Sequence, residues 1–562
     1  MNLAPQPTQS QRVIPQRRPP DLAITPTTKR TGWRIVVFSL VLAIAAFIES
    51  YLPYYLADRY KPAHSAFLGQ LVYTNDQDMY FSFIRQAWEG HNLFNNRLMG
   101  APNEAAFLNL EFLAVGRVMR WFHLSENSGY QLWRLAGACF LIFGYSFVAA
   151  LIFRGVRRYF LSAVIFVFAG GFGAFFLLGV AAGWLPNESF RTFGLDVWAG
   201  WLPFQQILTN PHFSLPHGLL LVGFGLFLLG EKRQHSILLY TACGILLALQ
   251  GLVRPYDLIS LFAVIPAFAG FEFLRRPDAR VLLRRLLPLI ISAPVLLYSI
   301  WLFKLHPVFK YWSQQGHNIP IWPPPYAGLL AYGAVGILAV VRLAQYRTNP
   351  LTAMDRFLCL WFAGIFCLSY GGLVTRKLGF SPQLAIPLFA PLVILACSVR
   401  LPMAPVNRRR LIAAVAVLAI AGHFGIISYY CQQRITAFGR DAWYAADDEL
   451  AAYRWINETL PPESPMVALP PVGTRLCKYT SCLSVLGHRC VTPVYYPKLT
   501  QVQTILSGSE FGDRETATLH QLGGNFLYIG PEERALLGFD PDKVAQLSKI
   551  FSHGLVAIYR LR

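Results

Sequence analysis

The sequence has 562 residues, of which 54% are hydrophobic and only 14% are charged, and its mean hydropathy is +0.40. This composition excludes an all-soluble protein, because soluble chains carry more charge and fewer apolar residues. The formal net charge is +20, yet residues 431–562 carry 13 Lys/Arg and 13 Asp/Glu, so the whole excess lies in the first 430 residues. A positive charge placed in this way is explained by membrane orientation, and no nucleic-acid partner is expected.

The first 32 residues differ sharply in composition from the long stretch that follows. Residues 1–32 are rich in Pro, Gln, Thr and Arg, which predicts a disordered cytoplasmic tail. Residues 33–430 are predicted to form a transmembrane domain, because a helix needs roughly 20 mostly apolar residues to cross a bilayer and many windows of that length qualify. We predict about eleven transmembrane helices, near residues 34–56, 129–153, 159–183, 213–230, 236–253, 257–274, 286–304, 326–342, 356–374, 380–399 and 410–430.

Basic residues are concentrated at one end of these predicted helices. Basic residues in short loops resist translocation, so the ends that carry them, and the N-terminus, are predicted to be cytoplasmic. The chain is then a multi-pass membrane protein whose C-terminal region lies outside the cytoplasm. The basic connections are residues 154–158, 232–233, 275–285, 342–356 and 400–410.

The first outer segment, residues 57–128, carries the sharpest polar motif. It is too long for a simple connector, and its near-helical apolar spacing predicts helices that lie along the membrane surface. It contains the sequence TNDQDMY at residues 74–80, in which Asp76 and Asp78 are two residues apart. Two carboxylates at this spacing can share a divalent cation, Mg²⁺ or Mn²⁺, or one of them can act as a general base. Alternatively, one of them caps a helix that begins near Met79, since Asp is a favoured N-cap residue.

Two further polar groups are predicted at the outer ends of later helices. Asn210 and His212 precede the fourth predicted span, where His212 can donate to a phosphate, shuttle a proton or serve a structural role. Arg254, Tyr256 and Asp257 interrupt the apolar sequence between the fifth and sixth spans. Arg254 either binds phosphate oxygens through its planar fork or forms an ion pair with Asp257.

A last polar group, Arg376 and Lys377, lies at the outer end of the ninth predicted span. The two cations are candidates for holding an anionic lipid headgroup, and the alternative is that they simply extend to the membrane surface. All of these groups share the outer face, so we expect that they line one cavity. Acidic residues beside cationic ones suit a site where a lipid-linked phosphate leaves while a carboxylate activates an acceptor.

The pattern changes after the last predicted span. Residues 431–562 combine a helical stretch at 445–460 with short β-rich runs at 466–469, 525–529 and 555–559, which predicts a small extracytoplasmic α/β domain. Cys477, Cys482 and Cys490 fall in this domain. A disulfide among them is open if the compartment is oxidising, but the pairing cannot be read from sequence.

The chain resembles the GT-C superfamily of integral-membrane glycosyltransferases, in a bacterial branch, over most of its length after the tail. The likeness is carried by DQDMYFSFIRQAWEG at residues 76–90, NPH at 210–212 and GPEE at 530–533. It implies a GT-C fold in the plasma (inner) membrane and a polyprenyl-phosphate-linked sugar as donor. It also implies that an acid in the first outer loop is the catalytic base or a metal ligand, with Asp78 as the first choice and Asp76 as the second. The pair lies farther from the first span than the acid of many members does.

The resulting hypothesis is sugar transfer at the outer face of the membrane. A polyprenyl-phosphate sugar enters from the lipid, Arg254, Arg376 or Lys377 binds its phosphate, and Asp78 assists the acceptor. The rival is a non-enzymatic transporter or flippase of lipid-linked glycans, and a third reading is an assembly scaffold. Because the ionisable residues cluster at span ends rather than near the bilayer midplane, the enzyme is favoured. The sugar, the acceptor and the oligomeric state are not predicted.

Overall fold

The computed structural model describes residues 29–153, 155–315, 325–347, 351–371, 382–399, 404–435 and 443–562. Most of the predicted tail at residues 1–32 lies outside these ranges, as do Arg376 and Lys377. The first helix begins at Lys29, and the last helix of the membrane domain continues to Ile435, past the predicted boundary at residue 430.

The membrane domain is built from helices, with one short strand, β1 (Ser65–Phe67), in the first outer segment. Its helices are α1 (Lys29–Arg59), α2 (Thr74–Glu89), α3 (Leu110–Trp121), α4 (Glu126–Ile152), α5 (Val156–Phe168), α6 (Gly173–Ala181), α7 (Asn187–Phe193), α8 (Leu195–Trp198), α9 (Pro203–Thr209), α10 (Pro211–Lys232), α11 (Ile237–Gly251), α12 (Pro255–Arg275), α13 (Ala279–Ile300), α14 (Lys310–Gln315), α15 (Pro325–Leu330), α16 (Gly333–Ala344), α17 (Ala353–Gly371), α18 (Phe389–Cys397) and α19 (Pro405–Ile435).

The predicted polytopic helical fold is confirmed. Within the described residues, eight helical segments are long and apolar enough to cross a membrane, and three shorter apolar helices lie at 237–251, 333–344 and 384–397. Each of the eleven predicted segments overlaps one of these. The helices pack around one apolar core that includes the buried side chains of Trp201, Phe224 and Trp361.

One predicted span, residues 159–183, is broken in its middle by a close helix crossing. The chain leaves the helical conformation between α5 and α6, where the Gly170 amide donates to the Ala419 carbonyl of α19 at 3.1 Å. A Cβ atom on Gly170 would lie 2.2 Å from the carbonyl carbon of Gly422, so only glycine fits at this contact. The break therefore lets α19 approach the backbone directly.

Two prolines set the starting points of helices α10 and α12. Asn210 and Arg254 are extended, with φ/ψ of −155°/105° and −144°/96°, and each is followed by a proline at the first helical position. A proline disfavours the helical conformation in the residue before it and is itself well suited to the first helical position. Asn210 and Arg254 are therefore the N-cap residues of the two helices.

The first outer segment contains helices α2 and α3, as predicted, and the apolar face of α2 is covered by protein. Ten of its residues are buried, from Gln77 to Ala87, and it packs between α3 and a helix of the C-terminal domain. The amphipathic spacing of α2 does not by itself predict that the C-terminal domain covers its apolar face, because either a bilayer or a protein can cover such a face.

The C-terminal region forms the predicted small α/β domain. Five strands make one sheet in the order β4-β3-β5-β7-β6, with β4, β3 and β5 parallel and β7 and β6 antiparallel to their neighbours. The elements are β2 (Tyr444–Ala446), α20 (Asp447–Thr459), β3 (Pro465–Val467), α21 (Val472–Tyr479), β4 (Leu483–Ser484), α22 (Tyr495–Ser507), α23 (Asp513–Gln521), β5 (Phe526–Ile529), α24 (Pro531–Arg534), β6 (Leu547–His553) and β7 (Val556–Leu561).

Helices cover both faces of this sheet. Successive strand residues point to opposite faces, so Leu527 packs with the side chains of α22 and α23 whereas Tyr528 packs with those of α20 and α21. Strand β2 lies outside the sheet and pairs antiparallel with β1, with Phe67 opposite Tyr444. This pairing ties the first outer segment to the start of the C-terminal domain. Cys477, Cys482 and Cys490 are free thiols in the structure.

Candidate active site

Most of the predicted site residues converge around Tyr80, in the second turn of α2. The ring of Tyr80 lies 4.9 Å from the ring of His212, centroid to centroid, and the Asn210 side chain accepts the backbone N–H of His212 at 3.1 Å. Asp76, Arg254 and Tyr256 are close enough to act on Tyr80 electrostatically, and Asp257 is similarly close to Arg254 and His212. Three separate parts of the sequence, the start of α2 and the N-termini of α10 and α12, therefore form one site.

Tyr80 is a neutral, buried centre for this group. Burial and the nearby Asp76 carboxylate both raise the pKa of Tyr80 well above its ordinary value. The phenol therefore stays protonated at neutral pH and can donate a hydrogen bond. It also stacks on Phe112 at 5.3 Å, which fixes the ring between α2 and α3.

Asp76 and Asp78 point in different directions because they are on a helix. Helix α2 begins at Thr74 and its N-cap residue is Tyr73, so the suggestion that one of the two acids caps a helix starting near Met79 is wrong. Residues two apart on an α-helix are separated by about 200° around its axis. Their carboxylates therefore have different surroundings.

Asp78 lies in a buried ion pair with the C-terminal domain. Its side chain is 2% exposed, and Lys478 of α21, which is 0% exposed, donates to its Oδ1 atom at 2.9 Å. The carboxamide of Gln70, turned to match its neighbours, donates to Asp78 and accepts from Lys478, both at 2.9 Å. Burial disfavours the ammonium form of Lys478, but the attraction of Asp78 outweighs it and the pKa of Lys478 is raised.

Asp76 is more accessible and faces the other predicted site residues. Its side chain is 43% exposed, and Nε2 of His488, from the C-terminal domain, lies 2.8 Å from its Oδ1 atom. It sits in the first turn of α2, where the partial positive charge of the helix N-terminus stabilises a carboxylate. Of the two acids, it is the one that a substrate can reach.

A second buried acid, Glu111, belongs to this site and was not predicted from the sequence. Its side chain is 1% exposed and lies 2.5 Å from Nδ1 of His212, while Trp133 Nε1 donates to its other oxygen at 2.7 Å. Asn109 caps the start of α3 and so places Glu111 in the first turn. The sequence feature that could have indicated Glu111 is that it is the single acid within the apolar run at residues 106–115. An acid in such a run is expected to lie in a polar site.

Arg254 and Asp257 form an ion pair, which was one of the two alternatives predicted for Arg254 at the polar interruption between the fifth and sixth spans. Nη1 of Arg254 lies 3.8 Å from Oδ1 of Asp257, and both side chains are 1% exposed. Gln250 donates to the other oxygen of Asp257 at 2.6 Å, and the Arg254 guanidinium packs 5.1 Å from the ring centroid of Phe213. Tyr256 is 41% exposed and lies at the edge of the site.

Both carboxylates of the predicted cation site have partners within the protein. Asp78 is bonded to Lys478 and Gln70, and Asp76 is bonded to His488. Within the described residues, no three His, Cys, Asp or Glu side chains come together as metal ligands would. Arg376 and Lys377, the remaining predicted site residues, lie outside the described ranges.

Across the part of the chain that the structure describes, the membrane domain has eleven apolar helical segments, α2 carries the accessible Asp76, and the C-terminal domain packs against α2. The chain is similar to the oligosaccharyltransferase AglB from Archaeoglobus fulgidus in complex with an inhibitory peptide and a dolichol-phosphate, with a TM-score of 0.52 and 12% identity over 87% of this chain and 69% of that chain. It is also similar to ArnT from Cupriavidus metallidurans bound to undecaprenyl phosphate, with a TM-score of 0.50 and 13% identity over 94% of this chain and 98% of that chain.

The predicted resemblance to the GT-C superfamily is thus confirmed at the level of the fold. No protein-family model matches the sequence, and no curated protein sequence matches it significantly. Similar structures at 12–13% identity establish a shared fold, while function depends on the residues of the site.

Proposed function

We propose that the chain is a membrane glycosyltransferase that moves a sugar from a polyprenyl-phosphate donor to an acceptor at the outer face of the plasma (inner) membrane. The observation that carries this proposal is the site around Tyr80, where the accessible carboxylate of Asp76 and the guanidinium of Arg254, at the N-terminus of α12, both act on the same buried phenol. The shared fold supports it, because AglB and ArnT were each solved with a polyprenyl phosphate. The basic residues at the opposite helix ends support an outer location for the site.

Asp76 is the proposed general base. The resemblance implied Asp78 as the first choice, but the contacts of the two acids favour the reverse order, because the charge of Asp78 is neutralised by a buried lysine. In the proposed reaction the acceptor hydroxyl or amine gives its proton to Asp76 while its lone pair attacks the anomeric carbon. The bond from that carbon to the phosphate oxygen breaks, and the polyprenyl phosphate leaves with the electron pair. A positioned base contributes about 10²- to 10⁴-fold to such a step.

The leaving phosphate is proposed to bind between helices α10 and α12. The partial positive charge at a helix N-terminus favours phosphate oxygens, and here two such termini lie beside one site. Arg254 adds a guanidinium fork, which is paired with Asp257, and His212 adds a ring nitrogen, while the Asn210 side chain accepts the backbone N–H of His212. Arg376 and Lys377 remain proposed phosphate contacts on sequence grounds. In the proposed reaction cationic side chains of the protein stabilise the leaving phosphate, and no step involves Mg²⁺ or Mn²⁺.

The proposal can be tested with the purified full-length protein in lipid vesicles. The protein is incubated with a panel of undecaprenyl-phosphate hexoses and pentoses, and release of undecaprenyl phosphate is followed by mass spectrometry. We expect at least one donor to be consumed, and a transferred or hydrolysed sugar to appear. If every donor stays intact while one of them crosses the bilayer in a protein-dependent way, the alternative of a non-enzymatic transporter or flippase of lipid-linked glycans is correct instead.

Arg254→Lys should weaken phosphate binding while keeping the fold. Lysine preserves the positive charge beside Asp257 but lacks the planar fork that makes two parallel hydrogen bonds to phosphate oxygens. We expect the Kd for undecaprenyl phosphate, measured by a binding titration, to rise about tenfold or more, since a charge-assisted hydrogen bond contributes about 1.5–3 kcal/mol. Arg120→Lys is the matched control, because Arg120 is exposed at the end of α3, and its Kd should equal that of the wild type. Equal affinities in all three proteins would remove Arg254 from the phosphate site.

A further inference from the structure

The loop at residues 485–494 of the C-terminal domain is locked against the first outer segment. The Asn96 carboxamide donates to the Val491 carbonyl at 2.9 Å, and the Gly487 amide donates to the Thr492 hydroxyl at 3.2 Å. A Cβ atom on Gly487 would lie 2.5 Å from Cδ2 of the buried Leu98, so the loop packs closely against the first outer segment at this point. The loop therefore holds its next residue, His488, in a defined place with only 4% of the side chain exposed.

The hydrogen bonds of His488 determine which of its ring nitrogens carries the proton. The backbone N–H of Cys490 donates to Nδ1 at 3.2 Å, so Nδ1 offers a lone pair and the proton is on Nε2. Nε2 then donates to Oδ1 of Asp76 at 2.8 Å.

Asp78 and Asp76 have different partners in the C-terminal domain. The Lys478 ammonium pairs with the buried Asp78, whereas His488 donates one Nε2–H hydrogen bond to the more accessible Asp76. With Oδ1 held by the histidine, Oδ2 is the oxygen free to accept a proton. Asp76 and Asp78 therefore have different roles, which depend on His488 and Lys478 of the C-terminal domain.

The other titratable side chains close to Asp76 are neutral at neutral pH. They are Tyr73, Tyr80 and Cys490, and burial together with the Asp76 charge raises the pKa of each above its ordinary value. Arg489, which acts on Cys490, is exposed at the rim. The hydrogen bond from His488 is the contact that orients the Asp76 carboxylate.

We propose that His488 is a positioning residue that orients the Asp76 carboxylate toward the acceptor, so that the C-terminal domain completes the active site. The inference rests on the proposed function, in which Asp76 is the base. It assigns the domain a direct part in the reaction rather than a role in docking alone.

The test compares His488→Ala and His488→Gln with the control His520→Ala, which removes an exposed histidine of α23 in the same domain. We expect His488→Ala to lower kcat about 10- to 100-fold, because a misplaced base loses its alignment, with KM for the donor changed less than about twofold. The acidic limb of its pH profile should move to higher pH, because a carboxylate that loses an N–H donor is easier to protonate. His488→Gln, which keeps an N–H group near the place of Nε2, should recover most of the kcat.

An activity-independent measurement accompanies these assays. Carbodiimide reacts with protonated carboxyl groups, so the pH midpoint of Asp76 labelling, read by mass spectrometry, should move upward in His488→Ala and return in His488→Gln. The inference is overturned if the labelling midpoint and kcat of His488→Ala match those of His520→Ala, or if the glutamine variant is no better than the alanine variant. If no protein in the set consumes any donor, the proposed function fails, and the labelling midpoints alone decide whether His488 positions Asp76.

Discussion

Asp76→Asn should abolish sugar transfer and leave the folded protein intact. The substitution removes the proposed base, and the loss should be about 10²- to 10⁴-fold in kcat/KM for the donor. Asparagine keeps an oxygen that can accept the hydrogen bond from His488, and the side chain is 43% exposed. The free energy of unfolding should therefore change by less than about 1 kcal/mol. Donor consumption in vesicles and thermal unfolding in detergent measure the two effects.

The matched control for this variant is Glu104→Gln. Glu104 is another acid of the first outer segment, and its side chain is 78% exposed with only a loose contact of 3.8 Å to His306. Removing its charge should leave transfer unchanged, which separates loss of the base from a general loss of negative charge at the membrane surface. An Asp76→Asn protein that keeps more than a tenth of the wild-type rate would show that Asp76 is not the base.

Asp78→Asn should have the largest effect on stability. It leaves the ammonium group of Lys478, which is 0% exposed, without its counter-charge. Removal of one partner from a buried ion pair costs about 3–5 kcal/mol, because the remaining charge is desolvated and uncompensated. We expect poor yield or a clearly lowered unfolding temperature, measured by thermal unfolding in detergent, and any loss of transfer should follow the loss of folded protein.

The double variant Asp78→Asn with Lys478→Met tests whether the stability loss comes from the unpaired charge of Lys478. Nζ of Lys478 lies 5.1 Å from the ring centroid of Phe81 and 4.9 Å from that of Tyr479, so a methionine side chain enters an environment suited to it. With both charges removed, most of the lost stability should return. If instead Asp78→Asn is as stable as the wild type and inactive, then Asp78 is the base, as the resemblance first implied.

The membrane architecture could be predicted from the sequence because the constraints that set it are local. A span must satisfy its backbone hydrogen bonds within one apolar segment, so windows of about 20 residues suffice to find it. The same holds for the starts of α10 and α12, where a proline restricts the conformation of the residue before it and so makes Asn210 and Arg254 the N-cap residues. The strands and helix of the C-terminal domain follow from short-range apolar patterns in the same way.

Only the tertiary structure decided what each acid does. Asp76 and Asp78 differ by two positions in the sequence, but their partners, His488 and Lys478, are 412 and 400 residues away. Glu111 gains its role from His212, 101 residues later. A carboxylate is a base or a structural ion according to how far its partner neutralises and buries it, and that depends on groups that local patterns do not relate. The sequence alone therefore determined where the acids lie along the chain, and the docking of the C-terminal domain on α2 determined which one remains accessible and charged.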